Sequence, residues 1–427
     1  METLRIGSAG PWVELFQSVL AKTGRAVAVD GVFGPLTRDA AADLQRASGL
    51  TPDGVAGAGT WRALRPLTHG YDLYTIAPGD TLYSVANRYS AGFARIAAAN
   101  PGVNPYNLQV GQRIVVPLGA VVPTGISYSS GIMRMNIDAL KTVYPFIETG
   151  SAGSSALCAG IPYMRIGTGP VNVFYNASFH ANEWITSPLL MKFAENYARA
   201  YAVGADIYGY PARELYRGVS IYIAPMVNPD GVDLVTGAFR PGHEAYEAAR
   251  EIALGFPGIP FPNGWKANIE GIDLNLQFPA NWDAAREIKF SQGFDRPAPR
   301  DYVGPAPLFA PESEAMYKFA LKHDFRLLLC YHTQGMVIYW QYLNYMPPGA
   351  LYIGELFAAS SGYTLERTPY TSGFAGYKDW FIQEYNRPGY TVEAGYGVSP
   401  LPISQFGEIY ADNEGILVLG AATQLED

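Results

Sequence analysis

The sequence is poor in the residues that most often bind metals or form cross-links. It contains two cysteines and five histidines among 427 residues, and only 16% of its residues are charged. Two cysteines, Cys158 and Cys330, cannot form the disulfide framework of a small secreted domain, so we interpret both as buried free thiols. Any metal site that uses histidine must be built from a small set of candidates.

The sequence also lacks long apolar runs. No stretch approaches the roughly 18 apolar residues of a membrane-spanning helix, so none is predicted. The start, from Met1 to Arg5, lacks the basic and apolar segments of a signal peptide. We therefore expect a cytoplasmic, spore-associated or cell-wall-associated protein. The net charge of −8 argues against nucleic acid as a partner, because broad nucleic-acid binding needs a cationic surface.

What is present is enough apolar material, 48% of the chain, for one large core and one or two small domains. Near the N-terminus, a Gly-punctuated turn, Asp30-Gly-Val-Phe-Gly34, is echoed by Asp53-Gly-Val-Ala-Gly57. Apolar residues recur at helical spacing over 13–20 and 40–50. These features, with Leu4-Arg5-x-Gly7 and Thr60-Trp61, resemble the peptidoglycan-binding helical domain of cell-wall hydrolases. We assign this domain to residues 1–68.

Residues 72–118 predict a strand near Tyr74, a helix that begins after the N-cap Thr81, and a second strand before Pro117. The segment resembles a LysM module, which packs two helices against a two-stranded sheet and binds glycans that contain N-acetylglucosamine. The resemblance implies a groove formed by Gly79, Asp80, Thr81 and Leu82. A small domain without glycan binding is compatible with the same residues.

After a linker over residues 119–127, the segment 128–427 alternates strand-like and helical stretches, which predicts an α/β domain. One strand, over 171–179, is followed by His180-Ala-Asn-Glu183 and then by an amphipathic helix over 187–202. A histidine and a carboxylate three residues apart on such a turn can bind one zinc ion. This short motif alone is weak evidence, because a histidine at a strand end is more often structural.

His332 is the candidate for a third ligand, because it alone among the remaining histidines follows an apolar strand-like run, residues 325–331. Three protein ligands leave one zinc position open, as in catalytic sites. Glu393 lies within another apolar strand-like stretch. A buried carboxylate there is equally compatible with a salt bridge and with a general base that takes a proton from water.

Several motifs together resemble the zinc metallocarboxypeptidases related to carboxypeptidase A. They are His180-x-x-Glu183-Trp184, Asn228-Pro-Asp-Gly231, Gly271-Ile-Asp273-Leu-Asn275, His332 and Glu393, in the family's order over about 290 residues. The resemblance implies a mixed central sheet flanked by helices. It also implies that His180, Glu183 and His332 bind zinc and that Glu393 is the general base.

The same resemblance implies roles for further residues. Asp273 would accept a hydrogen bond from a ligating histidine and fix its ring, although a turn-capping aspartate fits the position too. Lys266 would stabilise the oxyanion in place of the family's arginine, unless it is simply solvated. Either Tyr370 or Tyr377 would be the tyrosine that contacts substrate, since the local spacing leaves both open.

Two departures from the family argue for a different cleavage point. The arginine that clamps a substrate's terminal carboxylate in the exopeptidases, directly after Asn275, is replaced by Leu276, which cannot form such an ion pair. Asn182 stands where those enzymes often have arginine. The stretches around Asn275 and His332 resemble instead the γ-D-glutamyl-L-diamino acid endopeptidase I branch, which cleaves peptidoglycan stem peptides.

We accordingly expect a zinc peptidase that hydrolyses the bond between γ-D-glutamate and a diamino acid, either meso-diaminopimelate or lysine. Asn275, Asn182 and one tyrosine would contact the substrate, and Lys378 would pair with a carboxylate of the diamino acid at the base of the specificity pocket. Two alternatives remain open. One is a carboxypeptidase that trims C-terminal residues, and the other is a cell-wall-binding protein without catalysis.

Overall fold

The computed structural model describes residues 1–425, apart from the side chain of Thr371. They form two compact units, one of residues 1–148 and 195–205, the other of residues 149–194 and 206 onward. No helix in the described part of the chain is long and apolar enough to cross a membrane.

The first unit begins with short helices and continues with a small sheet. Its elements are α1 (Pro11–Lys22), α2 (Pro35–Ala47), α3 (Ala58–Ala63), α4 (Arg65–Thr68), β1 (Tyr71–Thr75), α5 (Leu82–Tyr89), α6 (Phe93–Ala99), β2 (Arg113–Pro117) and α7 (Ser130–Val143).

The sequence echo in this unit corresponds to a repeated hydrogen-bond arrangement. Gln17 of α1 is buried and donates from Nε2 to Asp30 Oδ1 at 2.7 Å, while its Oε1 accepts from the Gly31 amide at 2.9 Å. In the second copy, Gln45 of α2 donates to Asp53 Oδ1 at 2.8 Å and accepts from the Gly54 amide at 2.9 Å. Each helix therefore holds the turn that follows it through one buried glutamine.

The strands β1 and β2 pair antiparallel, and α5 and α6 contribute to an apolar core with them. Thr81 caps α5 as predicted, since its side chain accepts a hydrogen bond from the Ser84 amide at 3.0 Å. Residues 119–127, the predicted linker, contain no helix or strand, yet Val121 and Ile126 within them are buried.

The remaining elements build the large sheet, its helices and a separate antiparallel pair of short strands within residues 206–211. They are β3 (Glu148–Ser154), β4 (Gly160–Ile166), β5 (Val171–Ala177), α8 (Thr186–Val203), β6 (Asp206–Ile207), β7 (Tyr210–Pro211), α9 (Ala212–Gly218), β8 (Val219–Ala224), α10 (Pro229–Val235), α11 (Glu244–Leu254), α12 (Trp282–Ser291), α13 (Pro311–Lys322), β9 (Phe325–His332), β10 (Val337–Tyr339), α14 (Ala350–Ser361), β11 (Thr364–Glu366), α15 (Tyr377–Tyr385), β12 (Gly389–Glu393) and α16 (Phe406–Ala422).

Eight strands form one mixed sheet in the order β11-β10-β12-β9-β5-β8-β4-β3, as expected for the catalytic domain. The four central strands, β12, β9, β5 and β8, run parallel to one another, whereas β10 and β4 pair antiparallel to β12 and β8. Strand β8 is buried along its whole length, and β9 is buried except at Arg326. Central parallel strands are covered on both faces, which explains their apolar sequences.

The expectation of two buried thiols is half right. Cys330 lies buried in β9, whereas Cys158 is exposed, and both are free. Cys158 occupies a tight turn between β3 and β4, where its own φ is +62°. The turn places Cys158 at the surface, and this exposure could not be predicted from its apolar side chain.

Candidate metal centre and active site

Three adjacent parallel strands bring the predicted ligands and base to one edge of the sheet. His332 is the last residue of β9 and lies in register with Glu393, the last residue of β12. His180 follows the end of β5, which pairs with β9 on its other side. Because the carboxyl ends of parallel strands meet at the same edge, residues distant in sequence converge there.

His180, Glu183 and His332 present donor atoms that lie within 4.8 Å of one another. His180 Nδ1 is 3.2 Å from His332 Nδ1 and 3.0 Å from Glu183 Oε1, and His332 Nδ1 is 2.8 Å from Glu183 Oε2. Two imidazole nitrogens and a carboxylate that face a single point are a zinc-type donor set. Zinc bonds of 2.0–2.2 Å to N and O ligands place those ligands about 3.3 Å apart, so the residues fit the ion.

The other ring nitrogen of His180 is held by Asp273. His180 Nε2 lies 3.0 Å from Asp273 Oδ1, and the second carboxylate oxygen accepts from the Asp301 amide at 3.1 Å. A hydrogen bond of this kind fixes which ring nitrogen is free to bind the metal. Asp273 also caps the short 3-10 turn Leu274–Leu276. One carboxylate therefore makes both contacts considered from the sequence, one with a histidine and one as a turn cap.

The charges of these groups are strongly coupled. Burial opposes the charge of His180, but Glu183 and Asp273 outweigh burial and raise the pKa of His180 to about 9. Burial would likewise raise the pKa of Glu183, but His180, Lys266 and His332 hold that pKa well below its usual range. The Glu183 carboxylate is therefore ionised, and a divalent cation would bind it together with the two histidines in their neutral form.

Glu393 lies next to this centre without an ion-pair partner. No salt bridge of Glu393 occurs among residues 1–425, and burial raises the pKa of its carboxyl above the ordinary value, against the pull of His332. Of the two interpretations open from sequence, the geometry favours a general base, because a raised pKa brings a carboxylate closer to the pKa of the water it must deprotonate.

Lys266 projects its ammonium group into the centre. Its Nζ lies 2.8 Å from Glu183 Oε1, and its carbonyl accepts from the Ala181 amide at 3.0 Å. Burial opposes the charge, yet Glu183 raises the pKa of Lys266. A charged lysine that is mostly buried here can stabilise negative charge at the reacting carbonyl, and it is not the solvated lysine considered as the alternative.

Two cavities adjoin the predicted metal centre and share part of their lining. The first, of about 270 Å³, is lined by the three predicted metal ligands together with Asn275, Leu276, Lys378 and Asp379. The second, of about 800 Å³, is lined by Asn182, Asn263, Gln334 and the segment 397–400. Lys266, Arg300, Tyr339 and Glu393 line both, so they mark the junction at which a bond spanning the cavities would be attacked.

The two candidate tyrosines have very different surroundings. Tyr377 is fully buried, with its hydroxyl donating to the Met316 carbonyl at 3.3 Å and its ring against Phe278. Its backbone amide is held by Asn275 Oδ1 at 3.0 Å. Tyr370 is 72% exposed. Of the two tyrosines, only Tyr370 has a side chain that can reach a substrate. Asn275 lines the first cavity, but its side-chain oxygen already accepts a hydrogen bond from the first residue of α15.

Lys378 lies at the wall of the first cavity, but its ammonium protons are already used. Nζ donates to Asp379 Oδ1 at 2.5 Å, to the Gln341 carbonyl at 3.0 Å and to Thr368 Oγ1 at 3.3 Å. An ammonium group has three protons, so no donor remains for a substrate carboxylate unless one of these bonds opens. Asn182 is buried, donates to the Asn263 carbonyl at 3.1 Å and has an Oδ1 without a partner among the described residues.

A further charged group on the same wall was not predicted from the sequence. Arg300, Asp301 and Lys289 all line the first cavity, and Asp301 binds both cations. Arg300 and Asp301 lie in an irregular segment after two prolines, and Lys289 lies on α12. No motif or periodicity links these positions, so only the fold brings them to the site.

The predicted glycan-binding residues lie where β1 leads into α5. Gly79 has a φ of +83° in the turn, a conformation that favours glycine. Asp80 accepts from the Tyr74 hydroxyl at 2.6 Å and from the Ala77 amide at 2.8 Å, so it stabilises the turn. Thr81 is exposed, whereas the Leu82 side chain is buried in the small core. A groove at this position would therefore use the backbone and Thr81 more than Asp80 or Leu82.

Comparisons with known proteins agree with this architecture. Residues 133–413 match the zinc carboxypeptidase family, residues 74–117 match the LysM domain, and residues 9–64 match a peptidoglycan binding domain. Crystalline carboxypeptidase A from Helicoverpa armigera superposes with a TM-score of 0.54 at 18% identity, over 81% of each chain. At that identity the superposition shows a shared fold alone.

Two curated relatives are similar over most of their length. The γ-D-glutamyl-L-diamino acid endopeptidase 1 of Lysinibacillus sphaericus is 42% identical over 398 residues, which cover 81% of this chain and 98% of that protein. The uncharacterized protein YqgT of Bacillus subtilis is 37% identical over 295 residues, which cover 68% of this chain and 76% of that protein.

Proposed function

The chain belongs to the zinc carboxypeptidase family, and on that premise we propose that it hydrolyses the bond between γ-D-glutamate and a diamino acid in peptidoglycan stem peptides. The observation that carries the proposal is the convergence of His180, Glu183, His332 and Glu393 at the junction of two cavities. The relative with 42% identity, named for this activity, supports the choice of bond.

We propose that His180, Glu183 and His332 hold zinc, with Asp273 fixing the ring of His180. When bound, zinc would polarise the scissile carbonyl and lower the pKa of water in the site. Glu393 would take a proton from the attacking water and then donate it to the leaving amine. Its raised pKa suits both steps, because the carboxylate is then a stronger base than an ordinary glutamate.

Lys266 would stabilise the negative charge that develops on the carbonyl oxygen. It retains two ammonium protons after the bond to Glu183, and its burial strengthens any charge interaction. Tyr370, exposed at the rim, would contact the bound peptide, and Asn275 and Asn182 would line the two sides of the cleft.

Leu276 supports an endopeptidase over an enzyme that removes C-terminal residues. It lines the first cavity where an exopeptidase needs a fork of donors for the terminal carboxylate, and an apolar side chain supplies none. A diamino acid that is still joined to D-alanine could then occupy this side of the cleft.

We further propose that the two N-terminal modules keep the enzyme on the cell wall. The LysM and peptidoglycan-binding segments support this location, and Gly79, Asp80, Thr81 and Leu82 mark the proposed glycan site. Binding to an insoluble polymer raises the local concentration of stem peptides around the zinc domain.

The test of the proposed function uses the zinc-loaded full chain and the peptide L-Ala-γ-D-Glu-diaminopimelate. We expect release of the dipeptide L-Ala-D-Glu, loss of activity on chelation, and recovery with zinc. Glu393→Gln should bind zinc normally, by metal analysis, and should lose about 100- to 10,000-fold in kcat. A metal-free protein that still cleaves the peptide, or a Glu393→Gln variant with normal turnover, would contradict the proposal.

A further inference from the structure

The cationic side chains of the first cavity differ in how many of their N–H groups are not already hydrogen-bonded within the protein. Three lysines line it, and each is paired with a carboxylate: Lys266 with Glu183 at 2.8 Å, Lys289 with Asp301 at 2.5 Å and Lys378 with Asp379 at 2.5 Å. Arg300 lines the cavity as well. Unlike the three lysines, it carries a planar guanidinium group.

Arg300 has one edge of its guanidinium engaged and one edge open. Its Nε donates to Asp301 Oδ2 at 2.6 Å. Within residues 1–425, neither terminal nitrogen has a hydrogen-bond acceptor, and the side chain is 42% exposed toward the cleft and solvent. The open edge offers two parallel N–H groups, the arrangement that binds a carboxylate at two points.

The position of Arg300 is fixed by the same loop that supports the metal centre. The Pro299 carbonyl accepts from the Lys266 amide at 2.7 Å, and the Asp301 amide donates to Asp273 at 3.1 Å. Asp301 has a φ of +64°, a conformation that a non-glycine residue adopts only when its surroundings impose it. Asp301 and Lys289 are thus positioning residues that hold the guanidinium at a set place.

We propose that Arg300 binds the free α-carboxylate of the γ-linked D-glutamate and thereby distinguishes a γ-glutamyl bond from an ordinary α-peptide bond. The inference rests on the proposed function, which it deepens. In a γ-glutamyl peptide, three carbon atoms separate the scissile carbonyl from a free carboxylate on the acyl side. In an α-peptide, no free main-chain carboxylate lies at that place.

The location of Arg300 matches this chemistry. With Glu393 and Lys266 it lines both cavities, so it lies beside the point of attack and within reach of the acyl side. Lys378 lines only the first cavity, on the side of the leaving amine, and its three protons are used. Arg300 can therefore contact a carboxylate on the acyl side of the scissile bond, whereas Leu276 offers no such contact on the side of the leaving amine.

The experiment compares wild type and Arg300→Gln on L-Ala-γ-D-Glu-diaminopimelate and on an analogue whose D-glutamate α-carboxylate is a carboxamide. Wild type should lose about 10- to 100-fold in kcat/KM on the carboxamide, as expected when a charged hydrogen bond is removed. Arg300→Gln should show a similar loss on the carboxylate peptide and little further loss on the carboxamide. Arg326→Gln, an exposed arginine near the start of β9, is the matched control and should behave as wild type.

Two further arms separate the possible outcomes. A peptide amidated on the diamino acid carboxylate should affect wild type and Arg300→Gln equally. If Arg300→Gln instead ignores that change and stays sensitive to amidation of D-glutamate, Arg300 binds the other carboxylate and the proposal is wrong. Equal sensitivity of both proteins to D-glutamate amidation would also overturn it.

Calorimetric titration keeps the test independent of turnover. In the zinc-loaded Glu393→Gln background, adding Arg300→Gln should weaken binding of the carboxylate peptide about 10- to 100-fold, and unchanged binding would overturn the proposal. Arg300→Lys, which keeps the charge without the fork, replaces Arg300→Gln if the latter unfolds at a lower temperature than wild type. Wild type that binds but never cleaves the peptide would contradict the proposed function while leaving Arg300 testable.

Discussion

At the scale of single residues, the environment of each carboxylate decides what it can do. Glu183 and Asp273 are surrounded by cations and stay ionised, whereas Glu393, half-buried beside them, has a raised pKa. Glu312 of α13 shows the same effect behind the site. It is fully buried, and its two oxygens accept from the Ala156 amide at 2.9 Å and from Asn268 Nδ2 at 3.1 Å.

Glu312 predicts a pH-dependent stability. Burial raises its pKa from 4.5 to about 7, so the unfolded chain loses this proton at a lower pH than the folded chain. The free energy of unfolding should therefore fall as pH rises from about 4.5 through about 7, by up to about 3 kcal/mol from this group. Glu312→Gln should abolish that part of the slope in denaturant titrations at pH 5 and pH 8.

Glu314→Gln is the control for this prediction, because Glu314 lies on the same helix and is 47% exposed in a pair with Lys318. It should keep the wild-type slope. Identical slopes for wild type and Glu312→Gln would show that the buried carboxyl does not titrate as described.

How far single residues could be predicted from sequence depended on whether local pattern or distant contacts decide their roles. His180, His332 and Glu393 each follow or end an apolar run, so strand position alone suggested that they project from one sheet edge. Tyr377 and Lys378 looked like substrate contacts, yet the fold buries one and supplies three acceptors to the other. Such contacts come from segments far away in sequence, which no local pattern records.

At the scale of elements, the repeated glutamines explain how a small helical segment holds its turns without disulfides. Gln17 and Gln45 each satisfy a buried glycine amide and an aspartate at once. The turn motifs were visible in the sequence, and so were the helices before them. The glutamines were not predicted, because their partners lie 13 to 20 residues away for Gln17 and 8 to 15 for Gln45.

Replacing either glutamine with methionine should open its turn. Gln17→Met leaves the Gly31 amide without an acceptor, and Gln45→Met does the same to Gly54, at a cost of roughly 3 kcal/mol each. Hydrogen exchange of the full chain should then be about 100-fold faster at the affected turn only. Gln292→Met, at an exposed position after α12, should change neither turn. Unchanged exchange in both variants would mean that the glutamines do not hold the turns.

At the scale of the whole molecule, segments that match a peptidoglycan binding domain, a LysM domain and the zinc carboxypeptidase family occur in one chain. The order of these parts followed from motifs, the α/β class from the alternation of strands and helices, and the mixed sheet from the resemblance to the zinc metallocarboxypeptidases. The domain boundary at residue 128 stays a prediction: most of α7 lies within the family match, which begins at residue 133, and α7 also lies within the first compact unit. Segments 119–127 and α7 carry buried side chains there, and their sequences look like those of a linker and an ordinary amphipathic helix.

The choice of bond is the central claim, and mass spectrometry of one digest tests it most directly. The substrate is the stem tetrapeptide L-Ala-γ-D-Glu-diaminopimelate-D-Ala, incubated with the zinc-loaded full chain in ¹⁸O-labelled water. We predict L-Ala-D-Glu with one ¹⁸O in its γ-carboxylate, together with unlabelled diaminopimelate-D-Ala. Release of free D-Ala, with the label in the carboxylate of diaminopimelate, would contradict the account and identify a carboxypeptidase.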